Sequence, residues 1–254
     1  MPPYNRQSKE SRTMSAMIAK FLPSYVGSKA MWVHKLDHLR GRHFTEYFCG
    51  SCAITAGLAS GAVLNDVDYN LVRYLKDYVK QPIVGRFTSD DYFAKRRSPD
   101  WYRWLYYLQK MSFSGVYRWS KNGYNVPIRS KYRIGSSIDV SKDIATAIAR
   151  HAEISPTVTC MEYYDLPMPS NPDVAVLDPP YEGSNAPYNT KEFDYARYWR
   201  HVHMCIESYK AVIIFDLEEN IKEHLPGVRY ETRMMRVVGH HPGRKEAMCI
   251  IGGT

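Results

Sequence analysis

The chain has 254 residues, of which 44% are hydrophobic and 24% charged, and it carries a net charge of +8. That length suits one large domain or a core with an inserted subdomain, and the cationic balance suits a polyanionic partner without identifying one. No stretch approaches the roughly 20 apolar residues of a membrane helix, and Met1 to Lys20 lacks an apolar signal-peptide centre; a soluble, cytoplasmic protein with no membrane partner is expected.

Residues 1–16 are polar and read as a flexible N-terminus. Tyr25-Val26-Gly27-Ser28-Lys29 reads as a loop entering a helix near Met31 to Leu39. A short strand, Thr45 to Phe48, runs into Cys49-Gly50-Ser51 and then a small-residue helix from Cys52 to Ser60, with Gly61 as its terminator. Ala62-Val63-Leu64 reads as a second strand ending in Asn65-Asp66-Val67-Asp68, and Leu71, Leu75 and Tyr78 mark the face of the next helix. Strand, glycine turn, helix, strand and acidic end make the first half of a nucleotide-binding βαβ unit. The three spaced glycines of a dinucleotide fingerprint are absent, so the pattern favours an adenosine-type ligand over NAD and argues against an oxidoreductase.

The pattern changes over residues 81–154. Gln81 to Arg97 reads as irregular and charged, and the aromatic run Trp101 to Tyr107 has the helical spacing of core. Ser112 to Pro127 contains Asn122-Gly123, a hairpin-turn dipeptide, among basic and aromatic residues. Such a hairpin suits a nucleic-acid groove or a solvated surface. The βα pattern resumes with Thr157 to Met161, Val174 to Leu177, a helix around Tyr195 to Tyr209, and the strand Ala211 to Phe215. Tyr230 to Val238 and Ala247 to Ile251 are expected to close the fold as an antiparallel hairpin. Five cysteines in a cytosolic chain predict no disulfide. Cys49 and Cys52 have zinc-type spacing but no matching second pair, so no metal is expected.

The densest chemical signal is Asp178-Pro179-Pro180-Tyr181, directly after the apolar strand Val174 to Leu177. The prolines stiffen the backbone and lack N–H donors. A carboxylate and a backbone carbonyl beside them can take the two hydrogens of an amino group, and the aromatic ring offers a stacking face. Those are the needs of a site that acts on the exocyclic nitrogen of a planar base.

Taken together, these blocks resemble the DNA adenine-N6 methyltransferase family of bacterial and phage enzymes. Tyr25 to Lys29 is similar to that family's N-terminal loop, Glu46 to Ser51 to its cofactor loop, and Asn65 to Asp68 to its acidic segment. Gly115 to Pro127 is similar to its DNA-contacting hairpin, and Asp178 to Tyr181 to its catalytic tetrapeptide. The resemblance implies an α/β fold. It would be a Rossmann-like S-adenosylmethionine-dependent methyltransferase core, residues 17–80 and 155–254, with an inserted helical and hairpin target-recognition subdomain, residues 81–154. It implies S-adenosyl-L-methionine as cofactor, double-stranded DNA as partner, and monomeric action. It further implies a cofactor site of Lys29, Phe48, Gly50, Asp66, Glu162, Tyr163 and Asp178, and a catalytic group of Asp178, Pro179, Pro180 and Tyr181. DNA contacts would come from Arg118, Lys121, Asn122, Tyr124, Tyr188 and Asn189. The chain departs from the family at Cys52, where a second glycine is usual, and at Ser28, where the family has a glycine. The competing expectations are a catalytically silent DNA-binding relative, and a methyltransferase acting on RNA adenine, cytosine N4 or a protein glutamine.

Overall fold

The computed structural model describes residues 21–23, 25, 27–133, 135–182, 193–234 and 244–253. A 3-10 helix, Lys29–Leu39, is followed by β1 (His43–Glu46), α1 (Ala53–Leu58), β2 (Gly61–Asn65) and α2 (Tyr69–Lys80). Then come β3 (Arg86–Thr88), α3 (Ser89–Lys95), a 3-10 turn at Trp101–Trp104, α4 (Leu105–Met111), β4 (Trp119–Ser120), β5 (Gly123–Tyr124), β6 (Ser137–Asp139) and α5 (Ser141–Ile154). The chain finishes with β7 (Thr157–Thr159), β8 (Val174–Leu177), α6 (Tyr195–Ser208), β9 (Ala211–Leu217), α7 (Glu218–His224), β10 (Tyr230–Met234) and β11 (Lys245–Gly252). The chain forms two compact units. One comprises Met1–Gly41, Gly50–Gly61 and Arg73–Pro156, the other Arg42–Cys49, Ala62–Val72 and Thr157–Thr254.

The second unit is organised by a seven-stranded sheet in the order β10-β11-β9-β8-β1-β2-β7. β8 runs parallel to both β1 and β9, and β2 runs parallel to β7. β11 is antiparallel to β9 and to β10, which is the expected closing hairpin. With β7, β2, β1, β8 and β9 counted in chain order, the strand order is the 3-2-1-4-5 of a Rossmann-like fold. The strand order of such a sheet reverses between its first and fourth strands, here β1 and β8, and ligands bind beyond the strand ends at that point. β8 and β9 are buried along their whole length, as the near-continuous apolar runs Val174 to Leu177 and Ala211 to Phe215 require. The core of this unit joins Ala175, Leu177, Val212 and Ile214 of the sheet to Tyr198, Trp199, Val202 and Cys205 of α6.

In the first unit, α1 packs on the 3-10 helix at Gly57, where an added Cβ would lie 2.6 Å from Val33 Cγ1. Arg150 of α5 donates to the carbonyls of Ala56 and Ala59 (2.9 and 2.6 Å), which satisfies the open C-terminal end of α1. Trp101, Leu105, Leu108 and Met111, which fall at helical spacing, are buried, while Trp104 is half-buried. β4 and β5 form the expected antiparallel hairpin, but its two turn residues are Lys121 and Asn122, and Gly123 opens β5.

Three local expectations change. Gly61 does not end α1; the helix stops at Leu58, Ala59 is extended, and Gly61 opens β2. Gln81 to Arg97 is not irregular, because β3 and α3 lie within it. Thr88 and Asp91 form a reciprocal capping box that starts α3, a two-residue signal inside a charged background. α5 emerges where no helix was anticipated; Ile144, Ala147, His151 and Ile154 make its buried stripe.

Candidate active site

In the second unit, Asp178 follows β8, and Phe48 lies two residues past β1, so both stand at carboxyl ends flanking the point where the strand order reverses. Asp66 follows the end of β2 and is half-buried, and its Oδ1 accepts the Asp68 N–H (3.0 Å). Asn65, which is 1% exposed, ties these ends together. Its Nδ2 donates to the carbonyls of Tyr47 (3.1 Å) and Met161 (3.0 Å). Its Oδ1 accepts from the Met161 N–H (3.1 Å) and the Thr159 hydroxyl (2.8 Å). Asn65 thereby fixes the strand ends that carry Phe48, Asp66 and Glu162. The sequence reading placed Asn65 only in the acidic segment; its position between the apolar run Ala62 to Leu64 and Asp66 was the available signal.

Tyr163 is buried and its ring lies 5.2 Å from that of half-buried Phe48, while Glu162 is exposed beside it. Burial raises the Tyr163 phenol to about 12 against the opposing influence of Arg197, so it stays neutral. A half-buried carboxylate for ribose hydroxyls and two aromatic walls fit the adenosine part of S-adenosylmethionine.

The tetrapeptide is described in full. Pro179 and Tyr181 are buried and Asp178 and Pro180 half-buried. Tyr181 Oη lies 3.1 Å from Asp178 Oδ1 and 2.9 Å from Glu246 Oε1. Glu246, on β11, is 2% exposed, and its other oxygen pairs with Arg233 of β10. Asp216, on β9, is 1% exposed; its Oδ1 accepts from the Leu217 N–H and from Asn220, and its Oδ2 has no partner. Burial first, with Asp178 and Glu182 adding, lifts Asp216 to about 7. Sequence reasoning missed Glu246, Arg233 and Asp216. The signal was an acidic residue inside or directly before an apolar strand, at Ile213-Ile214-Phe215-Asp216 and Glu246-Ala247-Met248.

In the first unit, Gly50 adopts φ +43°, and an added Cβ would lie 3.1 Å from Tyr25 Cε1. Ser51 Oγ donates to Ser28 Oγ (3.1 Å), and buried Lys29 donates to the Gly27 carbonyl (2.5 Å). The two glycine loops are thus in direct contact. Cys52 takes a left-handed conformation, φ 54°, ψ 31°, and is fully buried. This is a backbone position that favours glycine. A glycine would adopt this turn without penalty, and Cys52 adopts it at some cost in strain.

In the hairpin, Arg118, Lys121 and Asn122 are exposed. Arg118 Nε donates to Asn125 Oδ1 (2.7 Å) and its Nη2 to the Asn125 carbonyl (3.1 Å), which holds the guanidinium at the base of the turn. Tyr124 is corrected: it is 1% exposed, and its hydroxyl reaches Ser112 Oγ (3.0 Å) and the Val116 carbonyl (2.5 Å). It supports the hairpin from inside and is not presented to a ligand. Tyr188 and Asn189 lie outside the described residues. Among the described residues no cysteine is joined in a disulfide, no cluster of His, Cys, Asp and Glu is arranged to hold a metal, and no helix is long and apolar enough to cross a membrane.

The model of the D12 class N6 adenine-specific DNA methyltransferases matches residues 25–210. The chain belongs to this family. The match spans the glycine loops, the hairpin and the tetrapeptide, and membership implies S-adenosylmethionine as the methyl donor. No curated protein matches the chain. Among solved structures, a Pyrococcus horikoshii protein described as an RNA methyltransferase is similar at TM-score 0.44 and 10% identity, covering 98% of this chain and 96% of its own. An rRNA methylase from Streptococcus thermophilus is similar at TM-score 0.32 and 7% identity, covering 99% of each chain. Both are distant; the strand order itself gives the fold.

The Gly50 loop carries a direct test. Gly50→Ala adds a methyl group against Tyr25 at a positive φ, which costs an L-residue about 1–2 kcal/mol. Calorimetry is expected to show S-adenosylmethionine affinity reduced about tenfold or more. Unchanged affinity would separate this loop from the cofactor.

Proposed function

We propose that the protein transfers a methyl group to N6 of an adenine flipped out of double-stranded DNA, acting as a monomer with residues 81–154 as its target-recognition region. The observation that carries this reading is Asp178-Pro179-Pro180-Tyr181 at the carboxyl end of β8, beside the point where the strand order of the sheet reverses. When bound, S-adenosylmethionine supplies an electrophilic methyl group. The chain's own residues hold the acceptor. Asp178 and the Pro179 carbonyl accept hydrogen bonds from the N6 amino group and aim its lone pair. The Tyr181 ring stacks on the base, worth roughly 1–3 kcal/mol against the few kcal/mol needed to unstack it. Positioning and electrostatics carry such a reaction, so no nucleophilic cysteine is needed. Buried Cys205 and Cys249, both pushed up to about 12 by burial, are inert thiols.

Lys29, Phe48, Gly50, Asp66, Glu162 and Tyr163 are the proposed cofactor residues, with Asp66 on the ribose hydroxyls. Arg118, Lys121 and Asn122 are the proposed DNA contacts, supported by their exposure on a braced hairpin. Arg118→Ala is expected to weaken DNA binding by about 1–3 kcal/mol or relax site choice, with cofactor affinity unchanged. Unaltered DNA affinity and site preference would remove Arg118 from recognition.

The deciding experiment is nucleoside mass spectrometry of unmethylated DNA and of RNA incubated with the protein and S-adenosylmethionine. N6-methyladenine in DNA alone supports the proposal; methylation confined to RNA, or none, overturns it.

A further inference from the structure

Methylation of a neutral amine leaves a proton to dispose of, and the buried network behind the tetrapeptide suits that task. Tyr181 Oη lies within hydrogen-bond reach of two carboxyl groups at once, Asp178 Oδ1 at 3.1 Å and Glu246 Oε1 at 2.9 Å. A phenol has one hydrogen, so it donates to only one of them, and the second contact becomes a hydrogen bond only when that carboxyl group carries a proton. Arg233 pairs with Glu246 Oε2 and favours an ionised Glu246. The Tyr181 hydrogen therefore points to Glu246, and the position able to take up one more proton lies between Asp178 and Tyr181. Burial and the neighbouring carboxylates hold the Tyr181 phenol well above its ordinary range, so it passes a proton on without resting as a phenolate.

We propose that Tyr181 and Glu246 form a relay that receives, through Asp178, the proton shed by the methylated amine. The inference rests on the reading of N6 as acceptor. In the step, the N6 lone pair forms the new N–C bond as the methyl–sulfur bond breaks with its electron pair left on sulfur. The nitrogen, now positively charged, gives one proton to the Asp178 carboxylate. Asp178 passes a proton to Tyr181 Oη as Tyr181 passes its own to Glu246 Oε1, and the nitrogen returns to neutrality. Nothing is oxidised or reduced. The proton ends on Glu246, next to an Arg233 side chain that is 35% exposed and leads to solvent. Other titratable groups with electrostatic influence here include Asp216, Glu182, Tyr195, Tyr198 and Cys249. Asp178 is the catalytic residue by contact, and Glu246 acts through Tyr181 as a positioning residue.

The test uses Tyr181→Phe, which keeps the stacking ring and removes only the hydroxyl, and Glu246→Gln, which keeps the shape of the acceptor. In single-turnover methylation of DNA, each is expected to lower the rate about tenfold with DNA and cofactor affinities within twofold of the parent. The double variant should be no worse than either single variant, since both break one chain. Added small carboxylate buffers should raise the rate of Tyr181→Phe and leave the parent's unchanged. Additive losses, absence of buffer rescue, or unchanged rates overturn the relay. A second arm needs neither cofactor nor DNA: carboxyl 13C NMR titration of the free protein. Coupled titration of Asp178 and Glu246 in the parent, lost in Tyr181→Phe, supports the hydrogen-bonded chain; independent titration in the parent overturns it. If the parent methylated no DNA while the coupling held, the acceptor assignment would fall and the chain would stand.

Discussion

Replacing Asp178 with alanine is expected to reduce methyl transfer by at least about 10³-fold, roughly 4 kcal/mol of transition-state stabilisation, with a cooperative unfolding transition retained. Asp178 follows a fully buried strand but is itself only half-buried, so its side chain is not a packing element of the core. The substitution leaves Tyr181 with Glu246 as a partner. What disappears is the acceptor that would orient the amine and offset charge growing on nitrogen, an interaction stronger in the transition state than in the ground state. The loss should therefore fall on kcat, with DNA affinity changed little. Single-turnover rates together with thermal unfolding check both halves. Turnover within tenfold of the parent would move the active site elsewhere.

The second large effect is on acid stability, through His151 and His201. Each is at least nine-tenths buried, and the Nε2 of each has no partner. His201 packs its ring against Tyr47 and Tyr163, at 4.7 and 5.1 Å. His151 lies 5.4 Å from both Phe21 and Tyr78. Burial in these aromatic settings lowers both imidazoles to about 4. The unfolded chain then binds more protons than the folded one between about pH 4 and pH 6.5. Stability from each histidine is accordingly present above pH 6.5 and lost as pH falls toward 4, by roughly 2–3 kcal/mol per residue. Asp216 works in the opposite direction: its raised carboxyl favours the folded state at low pH, and that contribution is lost as pH rises through about 7. The raw pH profile mixes the two signs, so the measurement is a difference. His201→Phe and His151→Phe should be within about 1 kcal/mol of the parent at pH 7.5 and more stable than it near pH 4.5, by denaturant unfolding. A difference that does not change with pH would show that these histidines charge freely in the fold.

Most of the sheet was legible because its strands obey simple rules. Val174 to Leu177 and Ala211 to Phe215 are short apolar runs bounded by polar turns, and each is a strand buried along its length. The tetrapeptide and the glycine loops were legible as motifs. The reading of Tyr124 failed because sequence shows a basic, aromatic hairpin but not which side chains turn inward; strand pairing places Tyr124 inside and leaves Lys121 and Asn122 exposed. α3 hid because its start is a capping box rather than an apolar stripe. Glu246 and Arg233 were illegible for a different reason. Their relation to Tyr181 depends on a register between β9, β10 and β11 that no local pattern specifies.

The place of β11 between β9 and β10 has a consequence for how the molecule is made. Tyr181 and Glu246 are 65 residues apart, so a chain emerging from the ribosome holds the whole tetrapeptide well before its buried carboxylate partner exists. During that interval β9 stands as an open edge, with the row of unpaired amides and carbonyls that invites wrong pairing. Synthesis of one inner strand covers that edge and brings Glu246 to Tyr181 together. A nascent chain would thus gain the strand beside β9 and the buried carboxylate partner of Tyr181 in the same step, with β10 left as the outer strand.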